Sequence, residues 1–127
     1  MTSRPCLVLA ALFGLTAVAL GAYGAHGLNA DEVVLRQFDT ANRYHMWHSL
    51  ALLGAGLFLQ RGEARGKRDR VAQAAAVAFS LGILLFSGPL YAATALDLYG
   101  LTFIAPSGGI AFMAGWALLA VAAARSV

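Results

Sequence analysis

Three histidines, His26, His45 and His48, are the side chains of this 127-residue sequence best suited to chemistry near neutral pH. His45 and His48 stand three apart, which on a helix puts both imidazoles on one face. Two nitrogens one turn apart, with a third from a neighbouring helix, could supply three ligands to Zn²⁺ or Cu²⁺ at about 2.0–2.1 Å. A haem has only the histidine count behind it. Tyr44, Tyr91 and Ser107 are the candidates for binding a small molecule such as a quinone, and Asp97 and Tyr99 fall at the same level of the chain. A plainer reading stands beside both. Tyrosine and tryptophan at a membrane interface form routine belts. A histidine near a helix end commonly bonds a backbone carbonyl or a tyrosine, and His26 would hold the 24–27 turn that way. Structural cluster, metal site and small-molecule pocket all remain open at this level.

Other reaction templates are missing. The sequence has no G-x-S-x-G elbow, no Walker-type glycine loop and no H-E-x-x-H helix. Its six carboxylates all fall outside the apolar stretches, so the pair needed for intramembrane acid/base work is absent. The same absence counts against a proton-coupled transporter. Cys6 stands alone, which excludes an intrachain disulfide, a CxxC redox pair and a cysteine metal cage, and it is expected to pack as a small apolar residue.

The elements that must position these residues follow from composition. Hydrophobic residues make up 60% and charged residues 12% of the chain, about half the charge fraction of a soluble domain, and the mean hydropathy is +0.71. So few charges cannot coat a globule in water, which sets soluble enzymes aside. Crossing about 30 Å of hydrocarbon takes roughly 20 apolar residues as helix. Four stretches qualify, at about 5–25, 41–60, 71–96 and 103–124. The first resembles a secretory leader, but Tyr23 sits where a cleavage site wants a small residue and the apolar run is long for a leader, so it reads as a span. The expectation is one all-α domain over residues 1–127, a four-helix transmembrane bundle in a lipid bilayer.

Charge orients the bundle. Five of the nine basic residues lie in Arg61-Gly-Glu-Ala-Arg-Gly-Lys-Arg-Asp-Arg70, a stretch with no aromatic for base stacking, so nucleic acid is not the expected partner. One end of the four spans holds Arg4, this loop and Arg125, with Glu63 and Asp69 as its only acids; the other holds Arg36 and Arg43 against Asp31, Glu32, Asp39 and Asp97. The positive-inside rule then predicts that both termini and the basic loop are cytoplasmic.

Between the first two spans, Asn29-Ala-Asp-Glu32 resembles a capped helix start, followed by Val33, Val34 and Phe38 at helical spacing. This predicts a short interfacial helix lying on the membrane surface. Gly88-Pro89 predicts a kink in span three, and Pro106 a first-turn proline in span four. Small residues at Ala10/Gly14, Ala17/Gly21/Ala25 and Ala111/Gly115 mark faces where helices pack closely.

Five local patterns can now be set together. They are Gly21-Ala-Tyr-Gly-Ala-His-Gly-Leu28, Tyr44-His-Met-Trp-His-Ser-Leu50, Phe86-Ser-Gly-Pro-Leu-Tyr91, Pro106-Ser-Gly-Gly109 and Gly115-Trp116. In this order and spacing the chain resembles the YgdD-like family of small four-span membrane proteins, a domain of unknown function. The resemblance implies four helices and a bacterial inner-membrane location, and it implies no reaction. Pro89 and Ser107 depart from the family pattern, which has a small polar residue at the first position and a threonine-proline pair before the two glycines. The resulting expectation is a non-enzymatic interaction or accessory subunit, self-associating or joined to other membrane subunits. The alternative is that the histidines of the non-basic side bind a metal ion or small ligand for uptake, transport or sensing.

Overall fold

The structure is a computed structural model that describes residues 1–126. Its regular elements are all helical, and they form four rods joined by short turns. The first rod is α1, Ser3–His26, a run whose only hydroxyl between its fifth-residue proline and its last turns is Thr16. It stops where the amides of Gly27 and Leu28 both turn back to the Tyr23 carbonyl, at 2.7 and 2.9 Å.

The second rod corrects one expectation. No separate interfacial helix follows α1; instead α2 runs without a break through Glu32–Glu63. Its N-cap is Asp31, two residues after the predicted Asn29, and the Asp31 carboxylate accepts from the Val34 amide at 2.9 Å. The physical reason is continuity. Residues 32–53 contain no glycine or proline, so nothing ends the helix once Asp31 has started it. At 1.5 Å per residue α2 is roughly 48 Å long, well beyond the hydrocarbon thickness. Its first turns stay docked on α1 because Phe38 is buried against Gly24.

The third rod is composite: α3 (Arg70–Gly82), a π-helical turn (Ile83–Ser87) and α4 (Gly88–Leu96). Here the structure gives the predicted proline kink a specific form. Pro89 has no N–H, and its ring crowds the carbonyl four residues back. The turn before it widens, so that the Gly88 amide reaches the Ile83 carbonyl five residues away. Asp97, in the left-handed region at φ 55°, ends α4. The fourth rod is a 3₁₀ segment, Tyr99–Ile104, leading into α5, Ala105–Arg125, with Pro106 in its first turn as predicted.

Three of the four rods, Ser3–His26, Arg70–Leu96 and Tyr99–Arg125, are long and apolar enough to cross a membrane. The rod that falls short is α2, which carries Asn42, His45 and His48. The packing compensates for that polarity. α2 lies between α1 on one side and α3, the π turn and α4 on the other, so it buries more residues than any other element. Towards the basic end the core is apolar and close-packed, built from Cys6, Leu52, Leu59, Phe79 and a set of alanines from all four rods. Cys6 is fully buried there, as its setting predicted.

Candidate functional site: a polar lattice across four rods

The opposite half of the bundle is where the chemistry-bearing side chains gather. Two small residues of α1 open the space for it. A Cβ at Gly21 would run into the Asn42 side chain, and one at Gly24 into the Phe38 ring. α1 and α2 therefore approach closely along this edge, as small residues at helical spacing permit. Asn42 uses that proximity to donate from Nδ2 to the Ala17 carbonyl at 2.8 Å. The same amide donates to the Tyr91 hydroxyl of α4 at 3.1 Å.

One turn further along α2, His45 joins the same network. The Tyr91 hydroxyl lies 2.8 Å from His45 Nδ1, and Thr16 Oγ1 lies 3.2 Å from Nε2. Proton positions follow from what each partner can do. Asn42 Nδ2 can only donate, so the Tyr91 oxygen accepts from it and gives its own proton to Nδ1. The Thr16 hydroxyl gives its proton to a carbonyl of its own helix, Phe13 at 3.0 Å or Leu12 at 3.1 Å, and accepts from Nε2–H. His45 is thus a neutral imidazole carrying its proton on Nε2. One directed chain runs from α2 through α4, back to α2 and on to α1.

His48 has the opposite tautomer. Its Nδ1 lies 2.7 Å from the Tyr44 carbonyl, which can only accept, so the proton is on Nδ1. Nε2 is left to accept from the Trp116 indole N–H of α5 at 3.0 Å. The ring lies flat on Phe112, with centroids 3.6 Å apart and planes 12° apart. A Cβ on Gly82 would strike Phe112, and one on Gly115 would strike Phe79, so these glycines admit the aromatic stack. Around it, Tyr44 packs on Phe86 at 4.7 Å, and Phe79 meets the Trp116 ring edge-on at 5.1 Å.

A third tie comes from the π turn. Ser87 is buried and donates to the Ala41 carbonyl of α2 at 2.7 Å. On its other side the same turn meets α5 backbone to backbone: a Cβ on Gly108 would collide with the main chain of Leu85 and Phe86. Of the other buried hydroxyls, Ser49, Ser80 and Thr94 donate to carbonyls four residues back in their own helices. Among the described residues no buried side-chain nitrogen or oxygen lacks a partner.

The sequence-predicted residues fare differently. His45 and Tyr91 are brought together. His48 is held close by on α2 but in a separate contact, with Tyr44 contributing its carbonyl and its ring face. His26 does not join them; it is exposed at the end of α1. Ser107 is exposed too, and bonds the Ile104 carbonyl in its own turn. Both nitrogens of His45 and of His48 are committed to protein partners, and no group of three or more His, Cys, Asp or Glu among the described residues is arranged to hold a metal ion. Three members of the lattice escaped the sequence reading. Asn42 could have been found one turn before His45 on the same face, and Thr16 as the lone hydroxyl inside an apolar run. Trp116 was visible as part of a pattern, but nothing local tied it to His48.

The comparisons bear on the chain as a whole. Residues 20–109 match the family described as "Protein of unknown function (DUF423)", a stretch that begins beside Gly21 and closes at Gly109. The chain is similar to the UPF0382 inner membrane protein YgdD of Escherichia coli (strain K12), with 39% identity over 98% of this chain and 93% of that protein. It is also similar to the UPF0382 membrane protein YwdK of Bacillus subtilis (strain 168), with 36% identity over 94% of this chain and 95% of the relative. A UPF0382 membrane protein of Haemophilus influenzae matches at 37% over 94% of both. No solved structure matches it. The coverage is nearly end to end, and the polar lattice lies largely inside the matched stretch: the chain belongs to the DUF423/UPF0382 family of small multi-span membrane proteins.

Proposed function

We propose that this protein is a non-enzymatic membrane subunit that works by packing against other membrane helices, those of a second copy or of a larger assembly. The observation that carries this reading is an unfilled apolar groove between α1 and α2. Ala10, Ala11 and Gly14 line one wall, Met46, Leu50 and Leu53 the other, and the cavity holds about 220 Å³. Gly21, Gly24, Gly82, Gly108 and Gly115 are all occupied by neighbours within the chain, whereas a Cβ on Gly14 would meet nothing within 4 Å. A small residue facing open space in such a groove lets an incoming helix approach closely, which is how helices associate in lipid. The fully satisfied polar lattice supports the same reading, since it offers no spare donor or acceptor to a substrate.

The test uses purified protein in mild detergent, with Cys6→Ser and Gly14→Cys combined. Native mass spectrometry is expected to show assemblies larger than the protomer, and Gly14→Cys to crosslink within them. Gly14→Leu should weaken the assembly while leaving the fold intact. Lone protomers throughout, with no crosslink, would overturn the reading.

In this reading α2 is the second of four spans, and both termini and the loop at 61–70 lie in the cytoplasm of a bacterial inner membrane. The charge asymmetry supports the orientation, and the printed name of the Escherichia coli relative supports the compartment. A cysteine at Gly66 should resist an impermeant thiol reagent in intact cells; labelling there would invert the topology.

A further inference from the structure

The basic end of the bundle holds a second cavity, of about 590 Å³, open to the outside. Six cations line it: Arg61, Arg65, Lys67, Arg68, Arg70 and Arg125. Three come from the turn between α2 and α3, two from the helix ends that flank it, and the sixth from the far end of α5, so only the folded bundle brings them together. Topology alone would ask for positive charge at this end. It would not ask for charges arranged around a concave site.

Two further observations point to an anionic occupant. The first is that the two acids of this end accept from amide and hydroxyl donors, Asp69 doing so from within the cavity lining. Both Glu63 oxygens accept from Ser3 at the start of α1, one from the amide at 2.9 Å and the other from the hydroxyl. Asp69 caps α3, its Oδ1 accepting from the Val71 and Ala72 amides at 3.0 and 3.1 Å. Among the described residues the single ion pair is Arg43–Asp39, at the other end of the molecule, so none of the six cations has a carboxylate partner there. The second observation is the lining itself. Phe58, Leu59 and Val71 supply its apolar part, Leu59 from the buried core and Phe58 and Val71 packed against it. A lining that combines guanidinium groups with apolar side chains suits a phosphate joined to an acyl-glycerol better than a free ion.

We infer that this cavity seats the phosphate headgroup of an anionic phospholipid, with its glycerol and upper acyl carbons against Phe58, Leu59 and Val71. Arginine forks suit a phosphodiester, and basic pockets at the cytoplasmic ends of membrane helices are suited to such headgroups. The occupant's negative charge balances cations that make no ion pair among the described residues.

The experiment titrates short-chain phosphatidylglycerol into the full-length protein in a neutral detergent and follows the thermal unfolding midpoint, which rises with a ligand that binds the folded state. Phosphatidylcholine of the same chain length and inorganic phosphate are the comparison probes. The expected result is saturable stabilisation by phosphatidylglycerol alone, weakening as salt is raised. Combining Arg65→Gln, Arg68→Gln and Arg125→Gln should reduce the affinity at least roughly tenfold, given what each cation contributes near an anionic headgroup. The midpoint without lipid should barely move, because these side chains are exposed and make no ion pair among the described residues. Arg36→Gln with Arg43→Gln, at the opposite end, should leave the affinity unchanged. Equal stabilisation by phosphatidylcholine, or an equal loss in the Arg36/Arg43 variant, would overturn the site. Inorganic phosphate acting at the concentrations that suffice for phosphatidylglycerol would overturn the lipid assignment.

Discussion

The two ends of this bundle treat polar groups in opposite ways. In the half that holds His45 and His48, every buried side-chain nitrogen and oxygen among the described residues has a partner, and several of these bonds join different rods. At the basic end six cations line an open cavity and none of them is in an ion pair among the described residues. The difference reflects the surroundings. A polar group within hydrocarbon has no water to fall back on, so an unmade bond costs its full desolvation and the chain must supply the partner itself. An arginine at the interface keeps its hydration and can wait for an outside ligand. Histidine pairs attract attention as reactive groups, yet here they are the fastened part of the molecule. The end with unspent interactions is the charged one.

The largest effect that would break this contrast lies at Gly108. Its backbone contact with Leu85 and Phe86 leaves no room for a methyl, and the obstacle is main chain that cannot swing aside. Gly108→Ala should cost about 2–3 kcal/mol in detergent unfolding, as overpacking at a close contact does. Gly109→Ala, where nothing lies within 4 Å, should be neutral or slightly stabilising through helix propensity. Equal behaviour of the two would mean that the α5–π turn contact does not govern this half.

A smaller effect sharpens the claim that the histidines are structural. His48→Phe keeps a ring against Phe112 but strands the Trp116 indole N–H. The expected loss is about 1–3 kcal/mol, the cost of an unsatisfied donor without water. Adding Trp116→Phe removes that donor and should recover a good part of the loss, so the two changes should be strongly non-additive in a double-mutant cycle. Simple additivity would show that the bond carries no energy.

The smallest effect is at the clasp between Glu63 and Ser3. The Ser3 hydroxyl, with help from its amide and from the nearby Arg68 charge, holds the Glu63 carboxyl below its usual range. A lowered pKa in the folded state means that the contribution to stability is present above the unfolded value and is lost as pH falls through the folded one. Because the group is exposed the effect should be slight, and is best seen as a low-pH change in the Ser3 amide signal by NMR. Glu63→Gln should abolish that titration. A Ser3 signal that titrates equally in the variant would assign the change to another group.

Much of this fold was legible locally. The apolar run 5–25 and the proline in the first turn of span four correspond directly to α1 and α5. The interfacial helix was misread because capping signals at Asn29 and Asp31 compete within two residues, and a local pattern cannot say how far the helix then continues. His45 and His48 were visible as a pair on one helical face, whereas Asn42 one turn earlier was not singled out. Their partners were not, because Thr16, Tyr91 and Trp116 lie 25 or more positions away in sequence. The motif at Gly88-Pro89 announced a disturbance, while its form as a π turn wedged between Ala41 and Gly108 required the neighbouring helices.

The sequence by itself determined the solvent of this protein, the number of rods and the separation of charge between its ends. These depend on composition and on runs of apolar residues, and transfer from water to oil is additive along a chain. Only the tertiary structure decided which hydrogen bonds the imidazoles make and that Arg125 joins the cations of a distant turn. Those outcomes depend on which faces meet, and hydrogen bonds and charge clusters act only over a few ångströms.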